Sequence, residues 1–287
     1  MKIKNTIALM VLAMLSFSSM SAQIKQEFSV YGAGGLSTLD YKVQGVNVEE
    51  SKRAGYSFGV GYSYFLTEKW GLNTGLEFST YMGKAELQSI SDQFDAVDDE
   101  NENFVYKYTV GGYEEKQRVS YLNIPLMVQF QTSVDDGFYV AFGGKIGLPV
   151  VKRYTSNISS IATQGYYPST DVTYDDFLYR GFGKFSDRSN KGNLDLKVAF
   201  MLSAEAGVKS RLNDKLCLYT GVYVDYSLNN VAKDGERFLS YDASHSTAFN
   251  NKSILNSQYL NDKEQSNFVN KVRPLAIGVK VRLAFGK

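Results

Sequence analysis

The sequence predicts an all-β fold, an antiparallel up-and-down transmembrane β-barrel, on three observations. From Phe28 to Phe285, runs of about twelve residues carry apolar side chains on one parity and small, polar or charged ones on the other. The connections between these runs alternate short and long, as periplasmic turns and extracellular loops do. Nowhere does an apolar run reach the roughly 18 residues of a membrane-crossing helix.

Eight strands are expected, at 26–39, 55–66, 70–83, 117–131, 138–151, 195–210, 215–229 and 271–285. The first is blurred by Gly32, Gly34 and Gly35. The second sets Tyr56, Phe58, Val60, Tyr62 and Tyr64 on one face, and the third Leu72, Thr74, Leu76, Phe78 and Met82. The fourth offers Leu122, Ile124, Leu126, Val128 and Phe130; the fifth offers Phe138, Val140, Phe142, Ile146, Leu148 and Val150. The sixth alternates most plainly, through Leu196, Val198, Phe200, Leu202, Ala204, Ala206 and Val208. Leu216, Leu218, Val222, Val224, Tyr226 and Leu228 mark the seventh; Leu275, Ile277, Val279, Val281, Leu283 and Phe285 mark the last. None of these positions is charged, and a lysine or arginine facing lipid at the midplane would cost roughly 2–4 kcal/mol. The opposite parity is rich in glycine, which suits a crowded lumen. A soluble lipocalin-like barrel would instead need an outer face of Lys, Glu and Thr.

The short connections are 67–69, 132–137 and 211–214; the long ones, 40–54, 84–116, 152–194 and 230–270, are read as extracellular loops. Hairpins within the last two, 152–194 and 230–270, would lengthen existing strands or add a fifth pair, making ten. Lys2, Lys4, the apolar stretch 7–17 and the small residues 18–22 read as a signal peptide, cleaved after Ala22 or after Ser21. The domains are therefore signal peptide 1–22 and barrel 23–287, bound for the outer membrane.

Without Lys2 and Lys4, the 31 basic side chains become 29 against 30 acidic ones, a balance that argues against nucleic acid as a partner. One cysteine and one histidine leave little for metal chemistry, and no cofactor is expected.

With the apolar parity on lipid, Glu77, Lys145, Lys197, Glu205, Lys209, Asp225, Lys280 and Arg282 project into the lumen or its rims. Buried charges persist only when paired and hydrogen-bonded. Glu77, Glu205 and Asp225 are therefore expected to bridge to Lys145, Lys280 and Arg282, closing a lumen that eight strands leave only wide enough for side chains. No catalytic residue is assigned. Glu205 and Asp225 read as structural carboxylates, and His245, between Ser244 and Ser246, as a solvated loop residue. The acidic stretch 92–102 lacks the ordered ligand spacing of a calcium loop and reads as a solvated tip. The aromatics of the last two long loops suit either a recognition surface or cross-strand packing.

Tyr121-Leu122-Asn123-Ile124-Pro125-Leu126 resembles a motif of PorT-like outer-membrane barrels of Bacteroidetes-type bacteria. Tyr121, Leu122, Ile124, Pro125 and Leu126 carry the match. Its proline is physically odd, since it removes a ladder donor inside a transmembrane strand. The Ala22-Gln23 junction, the glycine-rich start Tyr31–Gly35 and the ending Leu283-Ala284-Phe285 add to the likeness. That ending looks like the signal read by the barrel-assembly machinery. The resemblance implies an outer-membrane barrel with no shared catalytic set.

The function expected is thus a plugged, monomeric barrel with a structural, surface or assembly role through its loops. A small porin or transport channel is one alternative, and a barrel enzyme acting on lipid or peptide is another. Its partners are outer-membrane lipid and lipopolysaccharide, the assembly machinery, and an unidentified surface ligand or protein. Val222→Arg, on the lipid face, is expected to impair assembly far more than Gly221→Ala on the lumen side, read as loss of the heat-modifiable gel band.

Overall fold

The computed structural model describes residues 26–43, 53–261 and 264–286; the expected signal peptide lies outside them. The strands are β1 (Gln26–Val43), β2 (Ala54–Phe65), β3 (Trp70–Val97), β4 (Asn103–Gln131), β5 (Gly137–Tyr167), β6 (Val172–Tyr174), β7 (Gly183–Asn193), β8 (Ala199–Asn213), β9 (Leu216–Ser227), β10 (Glu236–Arg237), β11 (Ser257–Asn261), β12 (Glu264–Asn267) and β13 (Val269–Gly286). Eight of them close a ring in the order β1-β2-β3-β4-β5-β8-β9-β13 and back to β1, each antiparallel to both neighbours. Closure thereby offers the ring's backbone donors and acceptors partners that hydrocarbon cannot supply, save at the lapse opposite Pro125.

The alternation holds around the ring. Phe28, Val60, Leu76, Leu126, Val140, Phe200, Val222 and Val279 stand exposed on its outside, while Ser29, Glu77, Lys145, Glu205 and Lys280 are buried within. From Phe285 to Leu275 this belt rises roughly 33 Å along the strand, which a tilt of about 40° brings to roughly 25 Å, the height of an outer-membrane apolar band. Aromatic pairs rim its lower edge: Phe28 with Tyr62, ring centroids 5.1 Å apart, and Trp70 with Phe130 at 5.0 Å.

The long connections depart from the expected loops. Residues 84–116 are a continuation of β3 and β4, which stay paired up to Val97–Asn103, and β5 runs on to Tyr167 with β7 alongside it. These hairpins lengthen the wall above the belt and leave the ring at eight strands, so the ten-strand alternative is set aside. Their inward positions Phe104, Tyr106, Tyr108, Val110 and Tyr113 are buried in a core shared with Phe182, Phe238 and Phe268. We call this extramembrane part the crown.

Residues 195–198 also differ. They are not ring strand: Leu196 turns inward to bridge Ala232, and Lys197 is exposed rather than lumenal, its amide bonded to the Val231 carbonyl at 2.7 Å. The irregular segment 228–232 competes for their backbone and ends the ladder there.

Pro125 is accommodated by a gap. The β3–β4 ladder is paired at Thr74/Leu126 and again at Glu77/Asn123 in unchanged register, and lapses between. On the other side Pro125 pairs normally with Lys145. Its missing donor thus falls on the β3 side.

Gly207 and Gly221 face each other across β8 and β9, and a Cβ on Gly221 would come 2.4 Å from the Ala206 carbonyl oxygen. This close approach of strands makes Gly221→Ala disruptive in its own right, so it is a poor comparison for Val222→Arg. Ser29→Ala, at a buried lumen position, is the better control. Val222→Arg should abolish the heat-modifiable band, a cost of roughly 2–4 kcal/mol at midplane, whereas Ser29→Ala should retain it; equal loss would invert the assignment of faces.

Candidate functional site

Charges in the lumen are arranged in layers. At the periplasmic end Lys209 Nζ lies 3.1 Å from Glu27 Oε1, and Tyr219 donates its hydroxyl to Glu27 Oε2 at 2.7 Å. Above them Arg282 donates to Gln129 Oε1 at 2.7 Å and stacks its guanidinium 3.9 Å from the Tyr219 ring centroid. Lys280 pairs with Glu205 and sits 4.1 Å over the Tyr31 ring. Higher still, Lys145 Nζ is held between two carboxylates, 3.0 Å from Glu77 Oε1 and 2.8 Å from Asp225 Oδ2.

This last cluster joins β3, β5 and β9, so it reaches across the barrel rather than between adjacent strands. Ser79 (2.8 Å) and Asn123 (3.1 Å) donate to Glu77, and Ser203 donates to Asp225 at 2.6 Å. Each charged side chain is thereby hydrogen-bonded as well as paired, the condition under which burial is tolerated. Of the six residues singled out in the sequence, five meet a partner of opposite charge; Arg282 meets a glutamine and aromatic faces instead. Glu27, Asn123 and Gln129 were missed. Glu27 shares the lumen parity of Ser29 and Tyr31, but the glycines of that strand obscured it.

A void of about 20 Å³ remains among Tyr31, Asn73, Pro125, Glu205, Lys280 and Arg282. That is room for about one water and no more. Of the motif residues, Tyr121 and Pro125 point inward with Asn123, while Leu122, Ile124 and Leu126 face lipid. Tyr121 lies edge-on to Tyr81, centroids 5.9 Å apart, forming an aromatic layer above the charges.

A second closure sits over that layer. The turn Ile254–Asn256 is wholly buried, and its amide at Ile254 donates to Glu115 Oε2 at 3.1 Å. Ser253 Oγ (2.6 Å), Gln117 Nε2 (2.7 Å) and the Tyr113 hydroxyl also donate to Glu115. Asn251 is bound alongside by Ser156, Asn190 and Tyr154. Glu115 lies in the crown above the belt, and no cation neutralises it among the described residues; burial pushes its carboxyl upward.

The acidic tip is solvated at Asp95, Asp99 and Glu100, but it is not a cluster of unpaired charges. Asp98 is buried, caps the amides of Glu100 and Glu102 at 2.9 Å each, accepts from Tyr167 at 3.0 Å and pairs with Arg180. Arg180 also reaches Asp99 and Glu100. The cation arrives from 82 residues away in sequence, which is why local composition suggested repulsion. His245 is exposed, with Nδ1 3.2 Å from Asp242; neither neighbouring serine hydroxyl bonds its ring. Of the loop aromatics, Tyr167, Phe182, Phe238, Phe249 and Phe268 are buried, whereas Tyr174, Phe177 and Tyr179 remain exposed at the crown's tip.

A closed eight-stranded ring with an uncharged outer belt and paired charges inside defines a transmembrane β-barrel. The chain belongs to the outer membrane protein beta-barrel domain family, whose family model matches residues 18–186, and it is an outer-membrane protein. No curated protein matches the sequence. Solved structures similar to it include the outer membrane protein OprG from Pseudomonas aeruginosa, at 10% identity and TM-score 0.36 over 92% of this chain and 95% of that one. Neisserial surface protein A is similar at 10% identity and TM-score 0.27 over 90% and 94%. So is the attachment invasion locus protein Ail of Yersinia pestis, at 10% identity and TM-score 0.23 over 91% and 99%. Likenesses of this degree carry no functional argument.

Two outcomes test the closures. Lys145→Met strands two buried carboxylates and should cost about 3–5 kcal/mol, while the triple variant Glu77→Gln, Lys145→Met, Asp225→Asn should lie much nearer wild type in urea midpoint. Because Glu115's folded pKa is raised, its contribution is greatest below the ordinary carboxylate range and is lost as pH rises through the folded value. The protection factor of the Ile254 amide, after correction for base-catalysed intrinsic exchange, should fall over that rise, and Glu115→Gln should remove the fall.

Proposed function

We propose that this protein is a plugged outer-membrane barrel that works through its crown, in a surface, structural or assembly role, rather than by passing solutes. The observation that carries this reading is the bridge Glu77–Lys145–Asp225, which ties three separated strands across the lumen. Supporting it are the void of only about 20 Å³ below and the buried 253–256 turn above, both of which narrow the interior. An enzyme reading gains no comparable support, since His245 is exposed and its ring meets the Asp242 carboxylate rather than a serine hydroxyl.

The finer assignment, to PorT-like barrels, rests on Tyr121, Leu122, Ile124, Pro125 and Leu126. Here the motif has a physical sense: Asn123 and Pro125 adjoin the Glu77–Lys145 bridge by hydrogen bond and by strand pairing. A role in secretion is not carried over, because no secretion-specific feature accompanies the motif. We further propose that the chain acts as a monomer, inserted by the barrel-assembly machinery through its β13 end. Its surface partner is a ligand or protein met by the crown.

In planar bilayers the folded monomer should be electrically silent; large, stable conductance steps would overturn the plug and favour the channel reading. Protease added to intact cells should cut only within 84–116, 152–194 or 230–270. Cleavage at the short turns instead would invert the orientation.

A further inference from the structure

On the outer surface, immediately above the lipid belt, Arg118 of β4 and Arg153 of β5 are direct cross-strand partners. Both are exposed. Like charges placed opposite one another on a sheet repel, so such a pair needs an anion to be favourable. Neither arginine has a carboxylate within salt-bridge distance among the described residues; Arg118 makes only a long contact, 3.4 Å, to the Tyr56 hydroxyl. Two cations in the next row do not share this condition. Lys116 is bound to Glu114 at 2.8 Å, and Lys84 lies between Glu86 and Glu114. Lys191 of β7, in the same row, is exposed and like the arginines has no carboxylate within salt-bridge distance among the described residues.

Directly below the arginines, on the same two strands, Leu122 faces Leu148 and Ile124 faces Ile146. All four side chains are exposed to the bilayer. An apolar ladder capped by two guanidinium forks matches an amphiphile with acyl chains and a phosphorylated headgroup, since the planar fork suits phosphate oxygens in pairs. A free phosphate would use the arginines alone, whereas a phosphorylated lipid uses the arginines and the ladder below them together.

We propose that Arg118 and Arg153 form a binding site for the phosphate of an outer-leaflet glycolipid, whose chains lie on Leu122, Ile124, Ile146 and Leu148. The site deepens the proposed partnership with lipopolysaccharide and assigns it a place on the barrel. It also explains why two arginines with no carboxylate partner among the described residues stand side by side where the wall leaves the hydrocarbon.

The test uses the full folded protein in phosphatidylcholine nanodiscs doped with bis-phosphorylated lipid A or its dephosphorylated form, with retained lipid counted by native mass spectrometry after transfer to detergent. Wild type should retain the phosphorylated lipid and lose the dephosphorylated one. The double variant Arg118→Gln, Arg153→Gln should retain about tenfold less, the scale of lost charge-assisted hydrogen bonds, while keeping its heat-modifiable band. Lys215→Gln, exposed at a periplasmic turn, should behave as wild type. Equal retention by the double variant, or equal retention of dephosphorylated lipid, would overturn the proposal. So would full displacement by millimolar inorganic phosphate, which would reduce the site to one for a free anion. Both nanodisc leaflets contain the probe, so this result is independent of orientation, which surface proteolysis tests separately.

Discussion

Everything in this molecule follows from the requirement that no backbone amide or carbonyl be left without a partner in hydrocarbon. Eight antiparallel strands satisfy it by closing on themselves, and closure at eight fixes a narrow interior. Once the interior is narrow, each inward side chain must fit beside those of strands across the ring. Gly207 and Gly221 are glycine because their strands approach too closely for a Cβ. Lys145 can meet Glu77 and Asp225 because the ring brings β3, β5 and β9 within one side chain's reach.

The interior charges therefore do more than avoid a penalty. A pair between neighbouring strands would add little to what the ladder already specifies. A cation held by two carboxylates from non-adjacent strands fixes how far apart opposite walls stand. The crown repeats the principle with different chemistry: aromatic rings from the β3–β4 hairpin, the 178–182 turn and the 238–268 segment pack into one core, and Glu115 gathers donors from both the wall and the incoming segment.

How much of this was legible depended on the range of the interaction. Parity is a local signal, so the lipid-facing sets and the inward charges could be read strand by strand; Val222 outside and Asp225 inside are cases. Phe104, Tyr106, Tyr108 and Val110 carried the same alternation above the belt. It was passed over because the opposite face there is polar rather than apolar, and a soluble hairpin has no lipid-facing stripe. Leu196 misled in the reverse sense, its alternation being continuous with that of β8 although segment 228–232 draws it inward. The pairing of Asp98 with Arg180, and of Glu115 with Ser253, lay beyond any local pattern, because each partner is supplied by a different loop.

The eight buried lumen charges have one further consequence. Glu27, Glu77, Glu205 and Asp225 are matched in number by Lys145, Lys209, Lys280 and Arg282. A potential difference across a membrane acts on net charge, at about 2.3 kcal/mol per elementary charge per 100 mV. With the two signs equal, this interior carries no net charge that could move as one body across the field. Voltage exerts no net force on the plug, and a Donnan potential between periplasm and surroundings gives it no direction in which to move.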